Sequence, residues 1–350
     1  MTTATTSPPS QAQDATGRPL LDVRGLTVGY TDADGRDVVL VDDVSFSVQP
    51  GEVVCLVGES GSGKSVTSLA VMGLLADPLE VRGGSILFRG RDVLAMSQAE
   101  WRAMRGKDMA MVFQDPMTAL NPVRRVGTQI GRALAVHDRG LSRSARSRRV
   151  VELLTSVGVP QPAARAKGYP HEWSGGMRQR AVIAMAMANA PQLLVADEPT
   201  TALDTTVQAQ VMDTLSRARE GVGASMVLIT HDFGLVAQVA DRVAVMYSGR
   251  IVEQGTVWDI FDRPRHPYTA GLLASMLRGP ATGERAYAIP GAPPLPTARG
   301  TGCAFAPRCA NPAKDPRCTS QVPELVVTVA GHPAACHHLD APTDLTRRVS

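Results

Sequence analysis

The chain has 350 residues, 44% of them hydrophobic, and its 36 Lys and Arg against 33 Asp and Glu leave a net charge of +3. That length suits one large or two modest domains with an ample core, and the near-neutral balance argues against a nucleic-acid partner. No apolar run reaches the roughly 18–20 residues of a membrane span; the best candidate, Ala181 to Ala196, is broken by Asn189, Pro191 and Gln192.

Residues 1–19 are rich in Thr, Ser, Pro and Gln and lack the basic start and apolar stretch of a signal peptide. They read as a disordered lead-in, and the chain is expected to be soluble and cytoplasmic. Strand patterns follow at Leu21–Tyr30 and Val38–Val48, separated by the turn pair Asp34–Gly35. The apolar run Val53–Val57 leads through Gly58, Glu59, Ser60, Gly61, Ser62, Gly63, Lys64 and Ser65 into the helical pattern Val66–Met72. Strand, glycine loop and helix in that order form the context in which G-x-x-x-x-G-K-S cradles phosphate. The glycines let backbone N–H groups turn inward onto an anion, and the helix N-terminus adds partial positive charge. Lys64 is placed to reach the β- and γ-phosphates, and the Ser65 hydroxyl to ligate Mg²⁺.

Short strands are expected at Ser85–Phe88 and from Asp108 to Phe113, ending at Gln114. Residues 115–190 are Ala-, Arg- and Met-rich with helical patterning. Arg143, Arg146, Arg148 and Arg149 there read as a solvated helix face. Ser174, a good N-cap, opens a helix through Gly175 and Gly176, whose stripe Met177, Ala181, Ala184, Met185 and Ala188 reads as core. Two glycines at a helix start make a second anion-binding end. One nucleotide does not need both ends; a head-to-tail pair of chains does.

The wholly apolar run Leu193–Ala196 then ends in Asp197 and Glu198, at a strand tip where a parallel sheet presents ligands. Asp197 fits a metal-holding carboxylate and Glu198 a base for the attacking water. Val207, Val211 and Leu215 stripe a helix, Met226–Ile229 is a buried strand, and Val243–Met246 with Arg250–Val252 flank a hairpin at Ser248–Gly249. Alternating strands and helices predict an α/β fold with a mostly parallel core and a helical insertion. Beyond about residue 255, prolines punctuate a loop-rich stretch with one helix, Tyr268 to Leu277.

These motifs resemble the ATP-binding cassette (ABC) family over nearly all of residues 20–255. Gly58–Ser65 resembles its Walker A loop and Asp197–Glu198 the end of Walker B. Gln114 resembles the Q-loop glutamine, Ala202–Leu203–Asp204 the D-loop, and His231 the switch histidine. Tyr30 stands where the family stacks an aromatic on adenine. Trp173 and Met177 replace the family's usual Leu and Gln around Ser174–Gly175–Gly176; the anion-binding atoms are hydroxyl and backbone, so function is expected to survive. The resemblance implies a RecA-like parallel core, an antiparallel β subdomain and a helical subdomain at about 115–190, with ATP and Mg²⁺ as ligands. It further implies Gln114 as a metal contact beside Ser65 and Asp197, and Lys64, Gln114, Glu198 and His231 as the hydrolytic set.

The stretch from Phe113 to Pro122, Met177–Arg178–Gln179–Arg180, Arg265–His266–Pro267–Tyr268–Thr269 and Gly302–Cys309 narrow the resemblance to the ATPases of oligopeptide and dipeptide importers. That group implies a motor in a heterodimer with a second ATPase chain, two transmembrane permease subunits, a solute-binding protein met indirectly, and the cytoplasmic face of the membrane. A soluble ABC ATPase acting on nucleic acid or ribosomes is the alternative. Such proteins carry long coiled-coil insertions or tandem cassettes, whereas only about 110 residues separate Lys64 from Ser174 here. The cargo stays open among peptides, nickel chelates, glutathione and opine-like solutes.

Residues 256–350 form the family's C-terminal extension and hold Cys303, Cys309, Cys318 and Cys336 in a C-x5-C-x8-C-x17-C pattern. Clustered thiols in a cytoplasmic protein argue for metal over disulfides. Without a C-x2-C pair, a [4Fe–4S] cluster suits the spacing better than a zinc ribbon, and the resemblance points the same way. Zinc, with His332, His337 or His338 as ligands, and free or disulfide-bonded thiols remain the other readings. Cys55, inside a strand, reads as core.

Overall fold

In a computed structural model of the chain, residues 17–201, 203–277, 288–327 and 331–339 are described; most of the expected lead-in and Ala202 of the D-loop lie outside them. The centre is β3 (Val53–Val57), every residue of which is buried. It lies parallel between β8 (Ser225–Thr230) and β9 (Arg242–Tyr247). Its alternate side chains enter different cores. Val53, Cys55 and Val57 join one apolar cluster, and Val54 and Leu56 the other. A strand covered on both faces must be apolar at every position, which is why VVCLV shows no alternation.

Beyond β8 the sheet continues, still parallel, through β7 (Leu193–Asp197) to β6 (Met109–Val112). One face is covered by a four-stranded antiparallel sheet in the order β2 (Asp37–Val48), β1 (Leu21–Thr31), β4 (Glu80–Phe88), β5 (Arg91–Asp92). Leu21, Val23, Val41 and Phe46 from that sheet, with Ala70 and Val71 of α1 (Lys64–Val71), pack on Val54 and Leu56. Fully burying each such Val or Leu contributes about 1.5–3 kcal/mol. Short helix α2 (Gln98–Met104) has a capping box, in which Ser97 accepts from the Glu100 N–H and the Glu100 carboxylate accepts in return.

The opposite face is covered by helices. Between β6 and β7 run α3 (Pro116–Ala119), α4 (Val126–His137), α5 (Arg143–Ser156), α6 (Pro162–Arg165) and α7 (Gly175–Ala186). Val126, Ile130, Leu153, Leu154 and Ala181 bring α4, α5 and α7 into the core with Val211 and Leu215 of α8 (Thr205–Glu220). On α5, Arg143, Arg148 and Arg149 are exposed and Arg146 is half-buried, as a solvated face requires. On α7, Ala181 and Ala184 are buried and Met177 and Met185 partly so, while Ala188, buried too, lies just past the end of the helix.

After α9 (Phe233–Val239) and β9, Ser248 and Gly249 turn the chain at positive φ (47° and 82°) into antiparallel β10 (Arg250–Thr256). Two helices follow, α10 (Val257–Asp262), opened by a Thr256–Asp259 capping box, and α11 (Pro267–Leu277). The loop-rich stretch beyond them is tied to the sheet. After short α12 (Arg317–Ser320), β11 (Val326–Val327) and β12 (Pro333–Ala334) extend the sheet from β10. Glu253 on β10 is wholly buried and accepts the N–H groups of Arg265 (2.6 Å) and His266 (3.0 Å). His332, beside β12, meets the same carboxylate at 2.9 Å. This buried knot anchors the extension to the sheet edge. No helix among the described residues is long and apolar enough to cross a membrane.

Candidate active site

Leaving β3, the chain takes three positive-φ glycines, Gly58 (151°), Gly61 (78°) and Gly63 (100°). A Cβ on Gly58 would lie 2.2 Å from the Met246 carbonyl oxygen, so no other residue fits against β9 there. Gly63 caps α1 without any side-chain bond, leaving the first-turn N–H groups open toward the loop. Lys64 is 4% exposed. Its Nζ donates to the carbonyls of Gly58 (2.8 Å) and Glu59 (2.9 Å) and to Ser62 Oγ (3.3 Å). Burial holds its ammonium below the usual lysine range, opposed by the carboxylates of Glu198, Asp197 and Glu59.

Strand β7 ends against this loop. Ser65 Oγ donates to Asp197 Oδ1 at 3.0 Å and Ser68 Oγ to Asp197 Oδ2 at 3.3 Å. Burial raises the Asp197 carboxyl above its ordinary value and the nearby Glu198 charge adds to this, while the two serine hydrogen bonds oppose it. A carboxylate held beside a hydroxyl is a hard-oxygen pair suited to Mg²⁺.

Glu198 takes a left-handed backbone (φ 43°), uncommon for a non-glycine, with its N–H held by the Ile229 carbonyl at 2.9 Å. Its side chain is turned to three partners. Gln114 Nε2 donates to Oε2 at 3.3 Å, Thr201 Oγ1 donates to Oε2 at 2.8 Å, and His231 Nδ1 lies 3.4 Å from Oε1. Gly58 to Val66, Gln114, Glu198 and His231 line one open cleft together with Leu40, Phe233, Leu272 and Pro296. Residues from four separate strand ends thus converge on one side of the glycine loop.

Five sequence candidates, Tyr30, Ser174, Gly175, Gly176 and Asp204, lie elsewhere. Tyr30 is on β1, paired with Val38, and does not line the cleft. Ser174 caps α7, accepting the Met177 N–H, and Asp204 caps α8, accepting the Val207 N–H at 2.9 Å. Gly175 and Gly176 pack against Leu203 and Val207 of the Asp204 segment, and a Cβ on Gly176 would meet Val207 at 2.7 Å. This second helix end lies outside the chain's own cleft. Ser68, Thr201 and Pro296 contribute to the site although they carry no motif in the sequence.

Cys303, Cys309, Cys318 and Cys336 line one small pocket with Lys314, His337 and His338. All four are free thiols. Burial raises the thiols of Cys303 and Cys309 and pushes that of Cys336 up to about 11, and the charge of neighbouring thiolates adds to each of these three shifts. The ligand atoms of Asp315, Cys318 and His338 also lie within 4.8 Å of one another. His332 faces Glu253 instead, and Cys55 is buried in β3.

The model of the ABC transporter family matches residues 41–201, and that of the oligopeptide/dipeptide transporter C-terminal region matches residues 252–318. A putative peptide import ATP-binding protein of Brucella ovis is 51% identical over 91% of this chain and 97% of the relative. The oligopeptide transport ATP-binding protein OppD of Bacillus subtilis is 51% identical over 83% of this chain and 81% of its own length. The OppD of Mycobacterium tuberculosis is 50% identical over 91% of this chain, which spans only 52% of that longer protein. Among solved structures, the dimeric ATP-binding cassette MJ0796 in a post-hydrolysis state with ADP and Pi superposes with a TM-score of 0.61 at 25% identity, over 68% of this chain and 98% of that one. With its glycine loop, its carboxylate-tipped strand and the C-terminal region all matched, the chain belongs to the ABC transporter family, in the branch that carries the oligopeptide/dipeptide transporter C-terminal region.

Proposed function

We propose that this ABC-type ATPase is the motor subunit of a peptide importer, converting ATP binding and hydrolysis into transport. The observation that carries the reading is the convergence of Gln114, Glu198 and His231 on the Lys64 loop, in a chain whose extension matches the peptide-transporter region. ATP would seat its phosphates on Gly58–Ser65, with Tyr30 against adenine. Ser65, Asp197 and Gln114 would hold Mg²⁺, which neutralises phosphate charge when bound. Glu198 accepts a proton from the attacking water, oriented by Gln114 and Thr201, and His231 contacts the γ-phosphate. Ser174, Gly175, Gly176 and Asp204 serve a second ATPase chain's nucleotide, and that chain's equivalent helix end completes this cleft. A heterodimer of related ATPases is the arrangement we favour. Two permease subunits would hold the pair at the cytoplasmic face of the membrane, where the solute-binding protein acts on it only indirectly.

The thiols of Cys303, Cys309, Cys318 and Cys336 would hold a [4Fe–4S] cluster. Four sulfur donors around one pocket suit iron and sulfide better than a hard cation. Bound there, a cluster ties the loops of the extension together. One anaerobic purification tests both parts. The chain is expected to copurify with two multispanning subunits and a second ATPase, and to carry about four iron and four acid-labile sulfides. A colourless, zinc-loaded protein would remove the cluster, and a chain recovered with ribosomes or nucleic acid in place of membrane subunits would remove the transport reading.

A further inference from the structure

The extension reaches into the nucleotide site. Arg308, 8% exposed, forks onto the Glu59 carboxylate, with Nη1 to Oε2 at 2.7 Å and Nη2 to Oε1 at 3.0 Å. The Glu59 backbone N–H donates to the hydroxyl of fully buried Tyr268 at 2.8 Å. Glu59 is the second residue of the glycine loop. Both ends of it are therefore held by groups from beyond residue 255.

Those groups are themselves fixed. Arg308 Nε donates to the Pro290 carbonyl at 2.9 Å, and its guanidinium lies over the Tyr247 and Phe305 rings. The rings of Tyr247, Tyr268 and Phe305 pack together with centroids 4.6–5.4 Å apart. Arg308 and Phe305 also belong to the loop between Cys303 and Cys309, which is folded on itself by Ala306 N–H to the Cys303 carbonyl and Arg308 N–H to the Phe305 carbonyl. Its start is tied to the third cysteine by Cys303 N–H to the Cys318 carbonyl at 2.9 Å. Arg308 therefore sits on the loop that joins two of the four thiols and is tied to a third.

We infer that the cysteine-bearing extension controls nucleotide affinity by bracing the glycine loop, with Arg308 and Tyr268 as positioning residues acting on Glu59. The physical need is plain. A loop with three positive-φ glycines has many conformations, and only one converges its N–H groups on phosphate. Pinning its non-glycine residue lowers the ordering cost that ATP would otherwise meet. A planar bidentate fork fixes orientation as well as distance, which a lysine could not do. Because coupling between sites is reciprocal, ATP binding should in turn protect the cysteine site; this part rests on the proposal that those thiols hold metal.

The test is a double-mutant cycle on ATP binding, made in a Glu198→Gln background so that no turnover intervenes. Arg308→Met and Glu59→Gln are each expected to weaken ATP about tenfold, in the usual range of such couplings, and the double variant no more than either alone. Tyr268→Phe, which removes one oxygen from the buried ring cluster, should weaken it in the same direction and serves if Arg308→Met does not fold. With Glu198 restored in the assembled complex, KM for ATP should rise while kcat holds. Stripping metal from the otherwise wild-type chain should reproduce the Arg308→Met affinity and leave the Arg308→Met variant unchanged, and ATP should slow loss of iron to a chelator. Unchanged affinity in the single variants, or additive losses in the double, overturns the brace. Metal present but removable without effect on ATP overturns the coupling and leaves the metal reading intact. Absence of metal with a coupled cycle upholds the brace and overturns the metal reading.

Discussion

Glu198→Gln is expected to lower ATP turnover by about 10²–10⁴-fold, the contribution of a positioned general base, while leaving ATP affinity within about threefold. The substitution keeps shape and nearly all contacts. A glutamine carbonyl can still accept from Thr201 and Gln114, which now bond the carboxylate at 2.8 and 3.3 Å. The backbone hydrogen bond to Ile229 that holds the left-handed turn is untouched. What disappears is the proton acceptor. None of the phosphate-cradling groups changes, so ATP should bind and remain unhydrolysed, and the closed pair of ATPase chains should persist. Phosphate release measured beside nucleotide binding, with size-exclusion chromatography in ATP, reads all three. Normal hydrolysis by this variant would assign the base elsewhere.

Lys64→Ala should fail at the earlier step. Its ammonium is buried, and its three present partners belong to the loop itself, so it stands where a phosphate oxygen would replace a carbonyl. Charge-assisted hydrogen bonds are each worth about 1.5–3 kcal/mol. Losing two to the β- and γ-phosphates predicts roughly 10²–10⁴-fold weaker ATP binding. Equilibrium titration of ATP, with circular dichroism to verify the fold, checks it. The two variants should separate cleanly, one losing affinity and the other turnover. A Lys64→Ala chain that binds ATP as tightly as the parent would deny the lysine its place in the cradle.

Much of this site is legible in sequence because its parts are local. The glycine loop is a run of eight residues whose flanks identify strand and helix, and Asp197–Glu198 closes an uninterrupted apolar strand. The parallel core announces itself through the same uninterrupted runs, since strands covered on both faces cannot alternate. Helices α2 and α10 are not legible in the sequence although each has a capping signal, Ser97 with Glu100 and Thr256 with Asp259. At seven and six residues they are too short to show an apolar stripe. The extension reads as loops because β11 and β12 have two residues each and gain strand character only by pairing, β12 with β10 and β11 with β12. The brace is invisible for a simpler reason. Arg308 and Glu59 are 249 positions apart, and neither residue type nor spacing marks them as partners.

The central claim is that ATP hydrolysed at the Lys64–Glu198 site drives peptide import, and peptide uptake tests it most directly. The complete complex, with permeases and solute-binding protein, would be placed in proteoliposomes with ATP on the side of this chain. Peptide should accumulate only with ATP, peptide-loaded binding protein should raise the ATPase rate, and Glu198→Gln in this chain should abolish both. Uptake that persists undiminished with the Glu198→Gln chain, or an ATPase rate indifferent to every peptide offered, would contradict the account.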